Sequence, residues 1–511
     1  MSGAGAVSVE DQRRLLARNP HDPDIARALG LALRADGRLE EAMAALDHAA
    51  RLAPSRADIA RIRAETHHAQ AISLLKAGQR EAGRALLAQV AHDNPGDEQA
   101  HMNLARLLFA DGGLAEPAAL LAGLLTRRDD LAPPVLSELA ALLVAAGAEV
   151  AGEAGARRAL AGGAGTADDW VTLGLALHQQ DRLDEALDAY RMALSVDPGH
   201  VPARCDAAMV HLARGDLARG FAGFEARRGS APPLPGPADL AGRHVVLEGE
   251  QGHGDTLHFV RYAPLVAAAG ARVTLVVQPG LVRLLAGVAP AIGDDAPAPA
   301  ADLRLGLASL PVLFGTTLAT VPAAVPYVRA EPEEVARWRA RLAALPGLRV
   351  GLAWAGAPRR MLADRAMDAR RSLPLAALAP LSAVPGVVLV SLQKGPGASQ
   401  VAPSGMVVHD WTGELDDFAD TAALIAALDL VVTVDTAVAH LAGALGRPVW
   451  LLNRLDADWR WLRGRDDSPW YPTLRQFRQS VAGDWAPVVG RVAEALAARV
   501  AEAPAARVEA R

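Results

Sequence analysis

The chain has 511 residues, too many for one hydrophobic core, so two to four domains are expected. With 51% apolar and only 4% aromatic residues, it suits closely packed helices better than a β-sandwich. The net charge of −6 includes no long single-sign run, which argues against nucleic acid or an anionic membrane as main partner, and the single cysteine, Cys205, excludes an intramolecular disulfide and a cysteine-based zinc site.

Residues Met1 to Asp11 lack the basic stretch and apolar run of a signal peptide. No apolar stretch reaches the ~20 residues that span a bilayer. The expected address is therefore the cytoplasm, either free or peripheral to the inner membrane, with no transmembrane segment. A repeat follows. Trp170, Leu173-Gly174, Ala186, Tyr190, Ala193 and Pro198 reproduce the tetratricopeptide pattern. Asp181-Arg182-Leu183 recurs as Gly215-Asp216-Leu217 and Tyr190 as Phe224, both 34 residues on; Leu29-Gly30, Ala42 and Pro54 lie 144 residues before their counterparts. Each unit reads as two amphipathic helices whose apolar stripe needs a stacked neighbour. From Leu114 to Thr166 the helical pattern persists with a degenerate signature. Cys205, inside this pattern, reads as a buried small hydrophobe.

The array is assigned to residues 1–228. Gly229 to Pro237 is Pro/Gly-rich and cannot propagate a helix, so 229–241 reads as a linker. Beyond it strands and helices alternate: strand His244–Leu247, helix Asp255–Ala269, strand Arg272–Val277, helix Leu281–Val288 and a weak strand Asp302–Leu307. A second cycle runs through strands Arg349–Trp354, Val387–Leu392, Leu430–Val434 and Pro448–Leu452, with helices Thr421–Leu428 and Val438–Leu445. Such alternation predicts parallel sheets with right-handed crossovers. Two doubly wound lobes are expected, 242–345 and 346–500, with a tail at 501–511.

Ligands of doubly wound sheets sit beyond the carboxyl ends of the strands, where several loops stand out. Gly252-His253-Gly254-Asp255 follows the opening strand; its glycines admit a ligand to the backbone, and Asp255 could serve as a general base. An ordinary helix cap explains the same aspartate. Asp435-Thr436-Ala437-Val438-Ala439-His440 ends a strand and opens a helix whose free N–H groups suit a diphosphate, although Asp-Thr is also a plain N-cap. Trp354 to Ser372, with Arg370 and Arg371 read as loop residues, and Gln393-Lys394-Gly395 offer cations to phosphate oxygens, with solvated basic loops as the alternative. Asp456-Ala457-Asp458 imitates a metal-holding Asp-x-Asp motif. The aromatics Trp459, Trp461, Trp470 and Tyr471 read as packing residues first and as base- or sugar-stacking residues second. Zinc-protease, P-loop and serine-hydrolase motifs are absent.

Gly-x-Gly-Asp-Thr-Leu-His at 252–258 and Asp-Thr-Ala-Val-Ala-His-Leu-Ala-Gly-Ala-Leu-Gly-Arg-Pro at 435–448 resemble glycosyltransferase family 9, the heptosyltransferase-like enzymes. The blocks at 354–356, 391–395, 458–462 and 468–472 resemble the branch in which this domain follows tetratricopeptide repeats. The resemblance implies a tetratricopeptide superhelix followed by a GT-B fold of two Rossmann-like lobes. It implies a nucleoside-diphosphate-sugar donor in the C-terminal lobe and a glycan or protein acceptor facing the N-terminal lobe. Asp255 matches the family's catalytic aspartate; Asp435, Thr436 and His440 match its donor turn, in which Ala437 is carried as a further donor-binding residue. Trp354, Arg371 and Lys394 are carried as donor-side residues, one of the two cations replacing the family's donor-loop lysine, and Gly252 and Gly254 as the acceptor-side backbone. Ala437 and Val438 stand where heptosyltransferases usually have glycine and leucine. The expected chemistry is inverting transfer with no metal and no cofactor, and the repeats recruit the acceptor or a protein partner. The competing readings are a non-catalytic repeat scaffold with a degenerate sugar-nucleotide domain, and an epimerase on a similar two-lobed fold, for which a second acid/base pair is missing.

Overall fold

The computed structural model describes residues 8–163, 165–297, 299–357 and 360–509. Residues 1–7 of the N-terminal stretch, positions 358 and 359 of the arginine segment, and residues 510–511 of the tail lie outside the described residues. The chain forms two compact units that divide between Gly162 and Gly163.

In the first unit helix Val9–Arg18 precedes four helix pairs: Pro23–Ala35 with Leu39–Leu52, Ala57–Lys76 with Arg80–Asp93, Glu98–Ala110 with Ala115–Arg127, and Pro133–Ala145 with Glu149–Ala161. The repeat signature has a steric cause. Gly30 lies so close to Leu46 on its partner helix that a methyl group would overlap that side chain, and Gly174 stands in the same relation to the Tyr190 ring. Gly37, Gly78, Gly112 and Gly147 turn one helix of each pair into the next with positive φ, which glycine adopts without strain. The degenerate stretch after Leu114 keeps the same architecture.

The second unit starts with two more helix pairs, Ala167–Gln179 with Leu183–Val196 and Val201–Ala213 with Leu217–Phe224. The array assigned to 1–228 therefore extends by its last two pairs into the second compact unit. Leu212, Ala213, Leu217 and Phe221 share one core with Val245, Leu257, Leu441 and Trp470. Arg463 ion-pairs with Asp181 and its N–H donates to the Ala213 carbonyl at 3.1 Å. Arg227 pairs with Glu250 at 3.0 Å and donates to Ser309 Oγ at 2.8 Å.

The first lobe is a four-stranded parallel sheet of β1 His244–Glu248, β2 Arg272–Val277, β3 Ala291–Gly293 and β4 Leu303–Gly306, in the order β3-β2-β1-β4. The second is a six-stranded parallel sheet of β5 Leu348–Ala353, β6 Val387–Ser391, β7 Val408–His409, β8 Leu430–Val434, β9 Val449–Asn453 and β10 Leu474–Arg478, in the order β10-β9-β8-β5-β6-β7. Two expected helices are shorter than their apolar spans. The one over 255–269 breaks into His253–Phe259 and Ala263–Ala268, with Pro264 in the first turn of the second piece, where its missing N–H does no harm. That over 281–288 contracts to Val282–Leu285. Arg370 and Arg371, read as loop residues, instead end the helix Leu362–Arg371.

The lobes meet along a buried seam. Arg261, 3% exposed, donates to the Trp470 carbonyl at 2.7 Å and to the Tyr327 hydroxyl at 2.9 Å, under the Tyr471 ring. The Tyr471 hydroxyl lies 2.8 Å from His440 Nδ1 and 3.3 Å from His258 Nδ1. Burial, reinforced by neighbouring arginines, holds both imidazoles well below the usual histidine range, so both are neutral. At the rim Arg283 of the first lobe pairs with Asp417 at 2.6 Å and also with Asp420.

Asp206, on the helix Val201–Ala213, has its carboxyl pushed up to about 6 by burial. The folded state thus keeps a proton that the unfolded chain loses near 3.8, and stability falls as pH rises from there to about 6. His178, lowered to about 4 by burial, tilts the profile the other way between about 4 and 6.5. Asp206→Asn isolates the first effect. Its Tm is expected to exceed that of the wild type above pH 6 and to match it below 3.8; a difference of the same size at both ends refutes the assignment.

Candidate active site

The carboxyl ends of β1, β5, β6, β8 and β9 all open on one cavity of about 840 Å³. Side-chain alternation decides what reaches it. On β8, Leu430, Val432 and Val434 point into the second-lobe core, and the opposite parity carries Asp435 to the cavity. The same rule corrects one sequence expectation. Val350, Leu352 and Trp354 share a face of β5, so the Trp354 side chain is buried in the core, while Ala353 and Ala355 line the cavity. Trp354 contributes its backbone N–H, which Gln393 Oε1 accepts at 2.9 Å.

After β1, Gly252 caps the helix His253–Phe259, and its N–H donates to Asp255 Oδ2 at 2.9 Å. The other oxygen, Oδ1, accepts from Arg460 Nη2 at 2.6 Å across the lobes. Asp255, third residue of the helix, therefore both ties back to its Gly252 cap and is a cavity carboxylate. Gly254 is needed for close approach: a methyl group there would lie 2.9 Å from His440 Cδ2. After β8, Thr436 is the N-cap residue of the helix Ala437–Ala444, yet its side chain makes no capping bond; its hydroxyl lies 3.3 Å from that of Thr433. His440, in that helix's first turn and a half, stacks on Trp461 with centroids 5.2 Å apart.

Arg371 lines the cavity from the end of its helix, its Nε donating to Asp368 Oδ1 at 3.0 Å. Lys394 lines it too, but its ammonium donates to the carbonyls of Thr412 and Leu415 at 2.8 Å each, so only one N–H is left for a ligand. The structure adds Arg454 and Arg460 and brings Asp458 of the Asp-x-Asp segment into the cavity, all from the loop after β9. Arg454 is 7% exposed, and its Nε and Nη1 have no hydrogen-bond partner. Its charge is 3.5 Å from Asp456, which Arg370 approaches at 3.4 Å, and Asp458 pairs with Arg460 at 3.0 Å. The Asp-x-Asp carboxylates are thus engaged by arginines. Among the described residues no group of three or more His, Cys, Asp or Glu is placed to hold a metal ion.

Electrostatics separate the two inner carboxylates. Burial and the facing Asp458 push Asp435 up; burial also opposes the charge on Asp458, but Arg460 outweighs it and holds that group below its ordinary value. Arg460, buried among Asp458, Asp255 and Asp435, keeps its charge. Arg454 and Arg460 were not singled out in the sequence, although Arg460 stands in the 458–462 block.

Two parallel sheets whose carboxyl edges share a cleft, following a helical array, define a tetratricopeptide superhelix joined to a GT-B region. Comparison with known proteins matches part of each region. Residues 412–452 match glycosyltransferase family 9 (heptosyltransferase), and residues 7–57, 68–133 and 167–200 match tetratricopeptide repeats. Protein FlbA of Caulobacter vibrioides is 31% identical over 328 residues, covering 57% of this chain and 54% of FlbA, so the chain spans about half the length of that curated relative. Among solved structures, MamA MSR-1 covers 33% of this chain and 95% of its own at 20% identity and a TM-score of 0.28. YrrB, described as a TPR protein with an unusual peptide-binding site, covers 44% and 95% at 14% identity and a TM-score of 0.25. The protein is a tetratricopeptide-repeat chain with a glycosyltransferase family 9 match in its second lobe. No described helix is long and apolar enough to cross a membrane.

Proposed function

We propose that the protein is an inverting, metal-independent glycosyltransferase that moves a sugar from a nucleoside-diphosphate sugar to a glycan or protein acceptor in the cytoplasm. The observation that carries this reading is the shared cavity: Asp255 enters from the first lobe, and the Asp435–His440 turn, Arg371 and Arg454 enter from the second. The 242–345 lobe is taken as the acceptor side and the 346–500 lobe as the donor side.

In this reading Asp255 accepts the proton of the acceptor hydroxyl as its oxygen attacks the anomeric carbon from the face opposite the diphosphate. The bond from that carbon to the diphosphate breaks, inverting the configuration. The departing charge is met by the N–H groups that open Ala437–Ala444, by the Thr436 hydroxyl and by Arg371 and Arg454, both of which line the cavity. The ammonium of Lys394 has one donor free for the same purpose. A second reading, a non-catalytic scaffold, draws on the bond between Asp255 and Arg460, which occupies one carboxylate oxygen.

A panel of ADP-, GDP-, UDP- and dTDP-sugars separates the two by thermal shift and donor hydrolysis, with and without chelator. One donor is expected to stabilise the wild type with chelator present and to fail with Thr436→Ala or His440→Ala. A folded wild type that responds to no donor refutes the transferase reading.

A further inference from the structure

His258 belongs to the first lobe, His440 and Tyr471 to the second, and the Tyr471 hydroxyl sits between the two imidazoles. Burial keeps both rings neutral, so each carries one N–H and one bare nitrogen. Which nitrogen bears the hydrogen follows from the partners at hand. The Tyr471 hydroxyl has one hydrogen and lies 2.8 Å from His440 Nδ1 and 3.3 Å from His258 Nδ1, so it donates to one ring and accepts from the other. Tyr327 does not compete: its hydroxyl donates to the Leu257 carbonyl at 2.9 Å and stands 3.5 Å from that of Tyr471.

The far side of His258 decides between the two directions. Its Nε2 is buried without a hydrogen-bond partner, and the ring packs against Trp459 and Trp470. Were Tyr471 to donate to His258, the His258 hydrogen would sit on that nitrogen, a buried N–H with at best an aromatic face to meet it. Buried N–H groups without a partner are rarer than under-used acceptors. The hydrogen therefore belongs on His258 Nδ1, which donates to Tyr471, and Tyr471 donates to His440 Nδ1. His440 then carries its N–H on Nε2. That edge of the ring faces the cavity: a methyl group on Gly254 would lie 2.9 Å from His440 Cδ2 and 3.6 Å from Nε2, and both residues line the space.

We propose that His258 and Tyr471 are positioning residues that fix His440 as its Nε2–H tautomer, so that a neutral imidazole offers an N–H to an oxygen of the donor diphosphate. The direction matters, because a bare nitrogen would repel that oxygen. A ring that accepts at Nδ1 is also polarised into a stronger donor at Nε2. The ligand in this inference rests on the transferase reading above, whereas the tautomers are a property of the free protein.

The test is nitrogen NMR of the full chain with isotope-labelled histidine rings, above the pH at which exposed histidines are neutral. The wild-type spectrum alone is expected to show at least two rings protonated at Nδ1: His258, and His101, whose Nδ1 lies 2.7 Å from the Asp97 carbonyl. Signals lost in His440→Gln are expected to come from a ring protonated at Nε2, and those lost in His258→Asn from one protonated at Nδ1. Tyr471→Phe, assayed with whichever nucleotide sugar stabilises the wild type, is expected to raise the donor KM by about tenfold with kcat within about threefold, the scale of one hydrogen bond to a charged group. Fewer than two Nδ1-protonated rings, the reverse assignment, or a donor KM unmoved in Tyr471→Phe overturns the proposal. A folded wild type that binds no donor overturns the transferase reading and the role given to His440, even where the tautomers are as expected.

Discussion

Asp255→Asn is expected to lower sugar transfer by roughly 10²- to 10⁴-fold, the range that a positioned general base contributes, and to do so through kcat. The amide keeps an oxygen that can accept from Gly252 N–H or from Arg460, so the loop retains most of its geometry while losing the ability to take a proton. Donor-induced stabilisation should therefore persist, because the proposed donor turn lies on the other lobe. The competing outcome is informative. Arg460 is 6% exposed and balanced by Asp255, Asp435 and Asp458, so removing one negative charge leaves a buried cation less compensated. If Tm falls as steeply as transfer, Asp255 is a structural counter-ion; if transfer falls in a protein of near wild-type Tm, it is the base.

The second large effect concerns where the chain can be cut. A chain starting at Gly163 is expected to unfold cooperatively with a Tm near that of the same unit in the full protein. One starting at Gly229, where composition suggests a linker, is expected to be insoluble. The reason is the shared core: Leu212, Leu217 and Phe221 belong to one apolar cluster with residues of the α/β lobes, and Phe221 packs edge-on to Trp459 at 5.4 Å and Trp470 at 6.3 Å. Phe221→Ala in the full chain provides the finer measurement. Its expected destabilisation is about 3–5 kcal/mol, as for other buried aromatic truncations. A soluble, cooperative chain from Gly229 would show that these contacts are dispensable.

The difference between those two cut points marks what was legible in the sequence. Strands β1, β2, β5, β6, β8 and β9 stand out as apolar runs, and the loops at their ends carry the motif residues, so Asp255 and the Asp435–His440 turn were found where the structure has them. The three-residue β3 and two-residue β7 are too short to show a period, and β10, Leu-Arg-Gln-Phe-Arg, reads as polar. The helix Leu362–Arg371 was hidden by its charge, since only Ala366 in it is buried. Trp354 was misplaced because its loop position overshadowed the two-residue alternation that sends it into the core. Arg454 and Arg460 reach the site through the adjacency of β9 and β8 and through a crossing to the other lobe, which no local pattern records. Met209 and Phe224, which line the same cavity from the last helix pair, were invisible for a different reason: they occupy ordinary repeat positions, and the proline-rich segment after them suggested separation where the helices are in fact packed.

The seam of Arg261, His258, Tyr471 and His440 has a consequence for how the lobes can part. Its groups are desolvated and mutually bonded, and the apolar core around them is continuous from one lobe to the other. Swinging the lobes apart would tear that continuity, so the cleft has a spine along one side. Arg283 against Asp417 and Asp420 adds a second fastening, a solvent-exposed clasp that dissolved salt weakens. Parting the lobes at that rim would break only a charged clasp, whereas parting them at the seam would expose a continuous apolar core.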